Sequence, residues 1–587
     1  MPLNPTSTFP SPQPPFAAFP SRRSTVHSTK AIVACTQPLA AQCGLEILRK
    51  GGNCADAAVA VAAGLNMTEP GSTGIGGDMF CLFYDAATKQ VRSLNGSGRS
   101  GKNCTLQNVR RSLGVKEGEQ GKIPLDSVHA VSVPGAAAGW VDTVEKFGSG
   151  KWNKAEASLK AASPNYAEML KKDPSAKDGC RAPKAGEIMR NPTLANTFRL
   201  VGEKGKAGFY SGSVAEELIK VTSDLGGHLT LDDLKAHMET GTEETEPISL
   251  RFKAHDSAAK HGKHMSDNSA EGVDIWEHPP NGQGIIALMA LGIIEQLEKS
   301  SQIPKFTPED HNSTAYLHAI IESLRIAFAD GNWFIADPSV SSVPTPSLIS
   351  PEYLSERAKL FNPNKANPPL THGEPSPAHR SSDTVYFAVT DSSGNGMSFI
   401  NSNYAGFGTG IIPRNCGFTL QNRAANFVLQ PANHPNILRE NKRPYHTIIP
   451  ALVTNASDQS LHSVYGVMGG FMQPQGHIQV LLNQLLFNLS PQEALDAPRV
   501  CIGAGMPDEG DVMDMTVYLE EGIPESTVEG LRKLGHKVQV VKGWERGLFG
   551  RGQLIRWSVD GLEDGGKGMG IWSAGSDLRG DGAAMPL

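Results

Sequence analysis

A glycine-rich segment early in the chain has the spacing of a nucleotide-binding loop. Gly96-Ser97-Gly98-Arg99-Ser100-Gly101 matches G-x-G-x-x-G, a strand-like run precedes it, and Glu117 follows near the distance at which an acidic residue would contact a ribose. A dinucleotide site also needs a helix that opens at the loop, and Lys102-Asn103-Cys104-Thr105-Leu106 does not open an apolar helix. We therefore interpret these glycines as backbone turns close to a pocket, and we expect no cofactor.

A second candidate for chemistry is a group of three histidines, His255, His261 and His264. Imidazole is a common metal ligand, but no flanking carboxylate or cysteine completes a zinc-like pattern. The segment around them, residues 254–273, is polar and poor in apolar side chains. It predicts a solvated surface insertion and no metal site.

The third candidate is Thr384. A polar, proline-containing run from Asn362 to Arg380 ends just before it, and a strand-like run begins at Thr384 itself. Asp391-Ser392-Ser393-Gly394-Asn395-Gly396 then turns the chain into a second strand-like run, Met397 to Asn401, which is typical of a β-hairpin. Threonine is a favoured strand residue, so this position alone does not indicate catalysis.

The composition of the chain is typical of a globular protein. Of 587 residues, 39% are hydrophobic and 19% are charged, and the net charge of −6 gives no reason to expect nucleic acid or an anionic membrane as a partner. Eight scattered cysteines without a CxxC pair favour free thiols. Met1 to Ser21 lacks the apolar run of a signal peptide, and Ile285 to Ile294 is too short to span a bilayer. These features predict a cytoplasmic protein.

Hydrophobic periodicity predicts long buried helices between repeated hairpins. The main expected helices are Leu39–Lys50, Cys54–Asn66, Ile285–Leu297, His311–Ala329 and Gly476–Phe487. The main expected strands are Met79–Tyr84, Val91–Leu94, the hairpin after residue 383, two short strands ending at Asn422-Arg423, and Val464–Met468. This mixture predicts an α+β protein in which helices cover stacked sheets, preceded by a flexible arm at residues 1–24.

Eight segments in this order resemble the γ-glutamyltranspeptidase family of N-terminal-nucleophile hydrolases. They are Gly51–Ala58, Glu69–Asp78, Val133-Pro134-Gly135, Pro280–Gly284, Ala327–Asp330, Asp383–Tyr386, Phe407–Gly410 and Met468-Gly469-Gly470. Any one of them is modest support, whereas their number and order make the resemblance specific. It implies an αββα sandwich that is synthesised as one proenzyme and then cuts itself once into two chains that stay together.

By this resemblance, the cut lies between Asp383 and Thr384. It would leave a large chain that ends at residue 383, with its folded part at 25–383, and a small chain at 384–587. The hydroxyl of Thr384 would attack the preceding carbonyl, and the new α-amine, with a pKa of about 7.7–8.0, would then serve as the base for the same hydroxyl. The resemblance also implies an oxyanion hole at Gly469 and Gly470, and a supporting hydroxyl at Ser402.

The positions that hold glutamate in the family differ in this chain. Ser97 stands where the family has an arginine, with Arg99 two residues further on, and Tyr404 stands where it has an asparagine. The family has two serines after an Arg-Pro pair, which is Arg443-Pro444 in this chain. His446 and Thr447 stand in place of those serines.

The strongest difference is at Arg423 and Asn426, where the family places an acid or amide and then an aspartate. Loss of the aspartate removes the partner of a substrate ammonium, and Arg423 adds a cation suited to a carboxylate. We therefore predict an altered acyl pocket that includes Arg99, Tyr404, Arg423, Asn426, His446 and Thr447. Two simpler interpretations remain open, a surface ion pair for Arg423 and a hydrogen-bonded core histidine for His446.

The pattern around Arg423 is closest to the oxamate amidohydrolase-like branch of the family. It favours a hydrolase or acyl transferase for a small anionic amide, with water or an amine as acceptor. One alternative is a true glutathione hydrolase or γ-glutamyltransferase, in which Arg423 and Tyr404 re-create the carboxylate clamp. A second alternative is a homologue that keeps the fold but is neither cut nor catalytic.

Overall fold

The structure is a computed structural model of the chain. It describes residues 21, 23–150, 171–172, 174–175, 180–181, 190–253, 271–368, 383–503, 515–560 and 569–587. Most of the predicted arm at 1–24 and most of the predicted insertion at 254–273, with its three histidines, lie outside these ranges.

The strands of the described chain build two large sheets and two small ones. In chain order they are β1 (Val26–Ser28), β2 (Ile32–Cys35), β3 (Asp78–Asp85), β4 (Gln90–Gly96), β5 (Lys171–Lys172), β6 (Cys180–Arg181), β7 (Glu243–Thr245), β8 (Ile248–Phe252), β9 (Val273–Glu277), β10 (Asp383–Thr390), β11 (Gly396–Tyr404), β12 (Ala451–Asn455), β13 (Leu461–Met468), β14 (Val500–Ile502), β15 (Thr516–Glu520), β16 (Lys537–Val541), β17 (Arg551–Asp560), β18 (Met569–Ser576) and β19 (Ala583–Pro586).

The helices are distributed along the whole chain. They are α1 (Pro38–Arg49), α2 (Cys54–Thr68), α3 (Leu106–Ser112), α4 (Ala136–Phe147), α5 (Pro192–Lys204), α6 (Ala207–Tyr210), α7 (Gly212–Asp224), α8 (Leu231–Thr240), α9 (Gly284–Lys299), α10 (Thr314–Phe334), α11 (Thr345–Leu348), α12 (Pro351–Ala358), α13 (Met472–Leu485), α14 (Pro491–Asp496) and α15 (Glu525–Lys533).

Two seven-stranded sheets form the centre of the molecule. The first has the order β1-β18-β17-β13-β12-β9-β8, and the second has the order β19-β2-β10-β11-β3-β4-β7. Every pair of neighbours in both sheets is antiparallel. The sheets face each other through a buried apolar layer that includes Tyr386 and Ile400 from one sheet and Val464 and Ile555 from the other. At Gly466 the approach is so close that a Cβ would lie 2.6 Å from the Tyr386 ring.

Helices cover the outer face of each sheet. The outward side chains of β10, such as Val385 and Phe387, share a core with Ala57 and Val61 of α2, while α9, α10 and α13 cover the first sheet. A side chain of β10 therefore points either to the helical layer or to the facing sheet, because alternate residues of a strand project to opposite faces. The result is an αββα sandwich, which confirms the predicted fold class.

Helix α2 shows how local sequence fixes the helical layer. Its N-cap residue, Asn53, accepts hydrogen bonds from the N–H groups of Ala55 and Asp56, and the Asp56 carboxylate accepts one from the Asn53 N–H, which completes a capping box. Small side chains then let α1 approach closely, since a Cβ on Gly64 would lie 2.9 Å from the Cα of Ala40.

Most of the expected elements form, but several have other bounds; the helices expected at His311–Ala329 and Gly476–Phe487, for example, are Thr314–Phe334 and Met472–Leu485. Strand β11 continues beyond Asn401 to Tyr404, whereas the two short strands expected before Asn422-Arg423 are wrong. The backbone there makes single hydrogen bonds to separate segments and forms no ladder, with the Gln421 N–H donating to the Gly76 carbonyl and the Asn422 N–H donating to the Asn403 carbonyl in β11. Residues 423–426 form a 3₁₀ turn.

Two further features concern the cysteines and the helices of the described residues. Seven cysteines are free thiols, namely Cys35, Cys43, Cys54, Cys81, Cys104, Cys416 and Cys501. No helix among the described residues has both the length and the apolar character needed to cross a bilayer.

Candidate active site

Thr384 lies at an irregularity in the central hairpin. Asp383 pairs with Tyr404 and Val385 pairs with Asn401, so two residues of β11, Ser402 and Asn403, stand opposite Thr384 alone. This is the geometry of a β-bulge, which re-aims side chains and is frequent beside active sites. It brings the hydroxyl of Ser402 to 3.1 Å from the Thr384 Oγ1, and both residues are fully buried.

The hydroxyl of Ser402 is the meeting point of the site. Besides Thr384, it contacts the Arg423 Nη2 at 3.2 Å and the backbone N of Tyr404 at 2.9 Å, and both of these groups donate to it. Either hydroxyl can donate in the contact between Ser402 and Thr384; where Ser402 donates, its oxygen keeps two lone pairs for the two N–H donors. In that arrangement the Thr384 oxygen accepts a hydrogen bond, which stabilises developing negative charge on it.

Arg423 is fully buried and is no surface ion pair. Its Nη1 donates to the Thr447 Oγ1 at 2.6 Å, and its guanidinium carbon lies 4.4 Å from the centre of the Tyr404 ring. No carboxylate among the described residues forms an ion pair with it. Burial lowers the pKa of Arg423 to about 10, partly opposed by the negative charge of Asp78. The guanidinium therefore keeps its charge at neutral pH without a direct counter-ion.

Tyr404 supports this cation in a conformation that few tyrosines adopt. Its φ is +82°, which is costly for a residue with a Cβ, and its ring lies under the Arg423 guanidinium. Backbone strain at such a position is typical of functional sites.

His446 and Asp78 form a buried pair next to Arg423. The Asp78 Oδ1 accepts from the N–H groups of Gly98 and Gly135, and its Oδ2 lies 3.1 Å from the His446 Nε2. Burial, and then the charge of Arg423, hold the pKa of His446 well below its usual value, so the ring is neutral and donates from Nε2. Burial raises the pKa of Asp78 to about 6. His446 thus takes the hydrogen-bonded core role that the sequence left open.

Gly469 and Gly470 connect the end of β13 to the start of α13. Their φ values are +127° and +59°, a conformation that favours glycine. Within the described part of the chain, neither N–H of the pair donates a hydrogen bond, whereas the Gly470 carbonyl accepts one from the Gln283 side chain at 2.8 Å. Two N–H groups at a helix start are the arrangement that an oxyanion would need.

Hydrogen bonds link these groups into one network. From Thr384 it passes through Ser402, Arg423 and the Thr447 side chain; the Thr447 carbonyl then accepts from Gln283, which also reaches Gly470. Five of the residues singled out from the sequence therefore lie together, namely Thr384, Ser402, Arg423, Thr447 and Gly470.

Two other predicted residues lie at the edge of this network or outside it. The Asn426 Nδ2 donates to the Tyr445 carbonyl at 3.0 Å and so supports the segment that carries His446 and Thr447. The Arg99 Nη1 donates to the Asp337 Oδ2 at 2.9 Å, and among the described residues no hydrogen bond joins Arg99 to Thr384. A substrate role for Arg99 stays a prediction.

Sequence reasoning assigned no role to Gln283 or Asp78, although both belong to segments that carry the family resemblance. Each is fully buried and polar, and each joins parts of the site that are far apart in the chain. A buried polar residue inside a glycine-rich segment was the available signal, since such groups need partners.

Comparisons with known proteins agree with this geometry. The model of the family described as gamma-glutamyltranspeptidase matches residues 40–587. The chain is 31% identical to the glutathione hydrolase-like YwrD proenzyme of Bacillus subtilis, over 96% of this chain and 99% of the relative. It is 29% identical to the oxamate amidohydrolase proenzyme of Klebsiella pneumoniae, over 95% of this chain and 98% of that one.

A solved structure is similar across the whole length. The crystal structure of cephalosporin acylase from Bacillus halodurans has 35% sequence identity and a TM-score of 0.78, and the match covers 98% of this chain and 99% of the acylase. The relatives named as proenzymes are made as precursors, which supports the same for this chain. The chain therefore belongs to the γ-glutamyltranspeptidase family and is an N-terminal-nucleophile amidohydrolase or acyl transferase.

Proposed function

We propose that the protein cuts itself before Thr384 and then hydrolyses a small anionic amide, with Thr384 as the nucleophile. The observation that carries this proposal is the position of the Ser402 hydroxyl, between the Thr384 Oγ1 and the buried cation of Arg423. One short chain of contacts thereby joins the reacting hydroxyl to a group that recognises negative charge.

Self-cleavage would begin with attack of the Thr384 Oγ1 on the carbonyl carbon of Asp383. The Asp383–Thr384 C–N bond breaks as the ester bond forms, and the nitrogen takes up the proton that leaves Oγ1, so that it becomes the NH₂ group of the Thr384 α-amine. Water then hydrolyses the ester, which leaves a carboxylate on Asp383 and a free hydroxyl on Thr384. The bulge supports this route because it removes Thr384 from regular strand pairing.

Turnover of an amide would reuse the same hydroxyl. The α-amine of Thr384 accepts the hydroxyl proton while Oγ1 attacks the substrate carbonyl carbon. The oxyanion formed would be bound by the N–H groups of Gly469 and Gly470, a contribution typically worth about 10²–10³ in rate for one donor. The C–N bond of the substrate then breaks, and the leaving amine takes the proton held by the Thr384 α-amine. Water or an acceptor amine finally releases the acyl group from the Thr384 Oγ1.

The charge balance of the site favours a substrate with a carboxylate close to its amide. Arg423 is a buried cation with no ion-pair partner among the described residues, and a substrate carboxylate would supply one. The side chains of Thr447 and Ser402 hold the guanidinium in one orientation, which fixes where that carboxylate binds.

The same balance argues against a γ-glutamyl group as the preferred substrate. A glutamyl α-ammonium needs an acidic partner, and the acid whose charge acts on Arg423 is Asp78. Both Asp78 oxygens are already occupied, by the N–H groups of Gly98 and Gly135 and by His446. Glutathione hydrolysis is therefore the less favoured alternative, and it can be tested directly.

Thr384→Ala tests the nucleophile. We expect the wild-type chain of 62.6 kDa to be replaced by two bands on a denaturing gel, and the variant to stay uncut and inactive because it has no hydroxyl to attack the Asp383 carbonyl. Ser392→Ala, an exposed change in the same hairpin, serves as the control and should be cut normally. Cleavage of Thr384→Ala between residues 383 and 384 would disprove the assignment. A wild-type chain that stays intact would favour the non-catalytic alternative.

Arg423→Gln tests the acyl pocket with a matched pair of substrates, oxamate and its neutral analogue oxamide. Loss of a charge-assisted contact costs about 1.5–3 kcal/mol, so kcat/KM for oxamate should fall about 10- to 100-fold. The value for oxamide should fall less, because it has no carboxylate to lose its partner. Equal losses for both would assign Arg423 to the nucleophile alone. If the wild type hydrolyses γ-glutamyl-p-nitroanilide faster than oxamate, the result would favour the glutathione hydrolase alternative.

A further inference from the structure

Gln283 makes three side-chain hydrogen bonds in the buried centre of the site. Its Nε2 donates to the Thr447 carbonyl at 2.7 Å and to the Gly470 carbonyl at 2.8 Å, and its Oε1 accepts from the Tyr445 hydroxyl at 2.9 Å. The orientation of this amide is unambiguous, because two carbonyl oxygens only accept hydrogen bonds and must face its NH₂ group.

The two carbonyls belong to different parts of the proposed reaction. Thr447 holds the Arg423 guanidinium through its own hydroxyl, and Gly470 belongs to the pair that would bind the oxyanion. A single NH₂ group therefore spans the acyl pocket and the oxyanion donors. Gln283 precedes Thr384 in sequence, so after cleavage it would come from the large chain, whereas both carbonyls would come from the small chain.

The glycine pair needs an external anchor to be rigid. Two consecutive glycines have wide conformational freedom, and both adopt positive φ here. The Gly470 carbonyl accepts from the Gln473 N–H of the following helix and from Gln283. The first bond links the pair to α13, the helix that follows it. Of these two bonds, only the one from Gln283 links the pair to the segment that carries Thr447.

We propose that Gln283 is a positioning residue for the reaction, one that holds the Gly469-Gly470 donors in register with the acyl pocket. The inference rests on the proposed function and adds the residue that connects the acyl pocket to the oxyanion donors. Gln283 touches no reacting atom, so its effect is on the alignment of the oxyanion donors when the transition state forms. A misplacement of about 1 Å in such donors costs on the order of 10²-fold in rate.

The test is Gln283→Met, which keeps the side-chain volume and removes all three hydrogen bonds. The matched control is Gln479→Met. Gln479 is also buried, and its amide makes three hydrogen bonds, one to the Gln475 carbonyl and two to the backbone of Val500, none of them to a residue of the site network. Both variants should lose similar thermal stability, so the comparison separates catalysis from folding.

Steady-state kinetics on oxamate and γ-glutamyl-p-nitroanilide provide the measurement. For the amide that the wild type hydrolyses faster, we expect Gln283→Met to lower kcat about 10- to 100-fold with KM changed less than about threefold, and Gln479→Met to change neither by more than about twofold. Should Gln283→Met not fold, Gln283→Asn withdraws the amide by one methylene and should lower kcat in the same sense. A kcat like that of Gln479→Met, or a loss confined to KM, would overturn the inference. A wild type inactive on both amides would instead overturn the proposed function, and the inference with it.

Discussion

At the residue scale, one hydroxyl organises the site. Ser402 accepts from Arg423 and from the Tyr404 backbone and lies next to the Thr384 oxygen, so a neutral hydroxyl stands between the Arg423 cation and the proposed nucleophile. A direct contact between Arg423 and Thr384 would place a cation against the α-amine that we propose as the base. The intervening serine keeps the two apart while both still act on the reacting oxygen.

Ser402→Ala should slow both self-cleavage and turnover by about 10- to 100-fold, because it removes a contact to Thr384 and leaves a buried Arg423 N–H without its acceptor. Ser402→Thr keeps the hydroxyl and should recover most of the rate. The rate at which two chains appear on a gel gives the first measurement, and oxamate turnover gives the second. Ser398→Ala is the control, since Ser398 is buried on the same strand but bonds Tyr386 and Ala451. Normal processing of Ser402→Ala would contradict the assigned role.

At the element scale, the glycine-rich loops are packing devices. A Cβ on Gly98 would overlap the carbonyl oxygen of Val133, and a Cβ on Gly135 would overlap that of Gly96. Because these backbones lie in contact, the N–H groups of Gly98 and Gly135 both reach the Asp78 carboxylate. Gly98 of the G-x-G-x-x-G run thus helps to bind a buried aspartate.

Gly98→Ala should destabilise the protein by roughly 1–3 kcal/mol, since the added methyl group separates the two loops. It should also reduce activity, because Asp78 would lose one of its donors and could no longer hold His446 as firmly. Gly547→Ala is the control, since a Cβ there would meet no atom within 4 Å. Denaturant unfolding of both variants measures the difference, and equal midpoints would contradict the packing argument.

At the scale of the whole molecule, the cut proposed before Thr384 would not separate the two chains. Strands β10 and β11 of the small chain lie between β2 and β3 of the large chain in the second sheet, and β12 of the small chain pairs with β9 in the first. Both sheets are therefore shared, and dissociation would expose the layer between them. This supports a permanent heterodimer.

The same buried interior predicts acid sensitivity. Burial lowers the pKa of His237, His278, His462 and His536 to about 3, well below the ordinary value of 6.5. Below pH 6.5 the unfolded chain binds protons that the folded chain does not, so stability is lost as the pH falls, by up to about 1.4 kcal/mol per pH unit for each histidine. Carboxyl groups whose pKa is raised by burial act in the opposite sense, namely Asp78, with a pKa of about 6, and Glu277, Glu298 and Asp496. The lowered pKa values of His434 and His446 act in the same sense as those of the four histidines.

Unfolding measured from pH 8 to pH 5 should therefore show a steady loss of stability below pH 6.5. His462→Phe removes one of the four groups while keeping a ring of similar size, and it should make the decline less steep. A stability that does not change over this range would show that these histidines are protonated in the folded protein.

The sequence by itself determined the elements and the family. Turn residues between strand-like runs fixed the hairpin at Thr384, and apolar periodicity fixed the buried helices, because both depend on neighbours in the chain. The ordered motifs identified the family before any fold was known. Even so, the two strands expected before Asn422 are wrong, since their backbone groups make single hydrogen bonds to separate segments, such as Gly76 and Asn403, and form no ladder.

Only the tertiary structure decided what each polar side chain contacts. The sequence placed Arg423 and Arg99 together in the acyl pocket, yet the fold joins Arg423 to Ser402 and Thr447 and gives Arg99 to Asp337. Gln283 had no assigned role until the fold brought it against residues more than 160 positions away. Secondary structure follows from local sequence, whereas the partner of a buried polar group is set by which distant segments the packed sheets and helices bring within hydrogen-bonding distance.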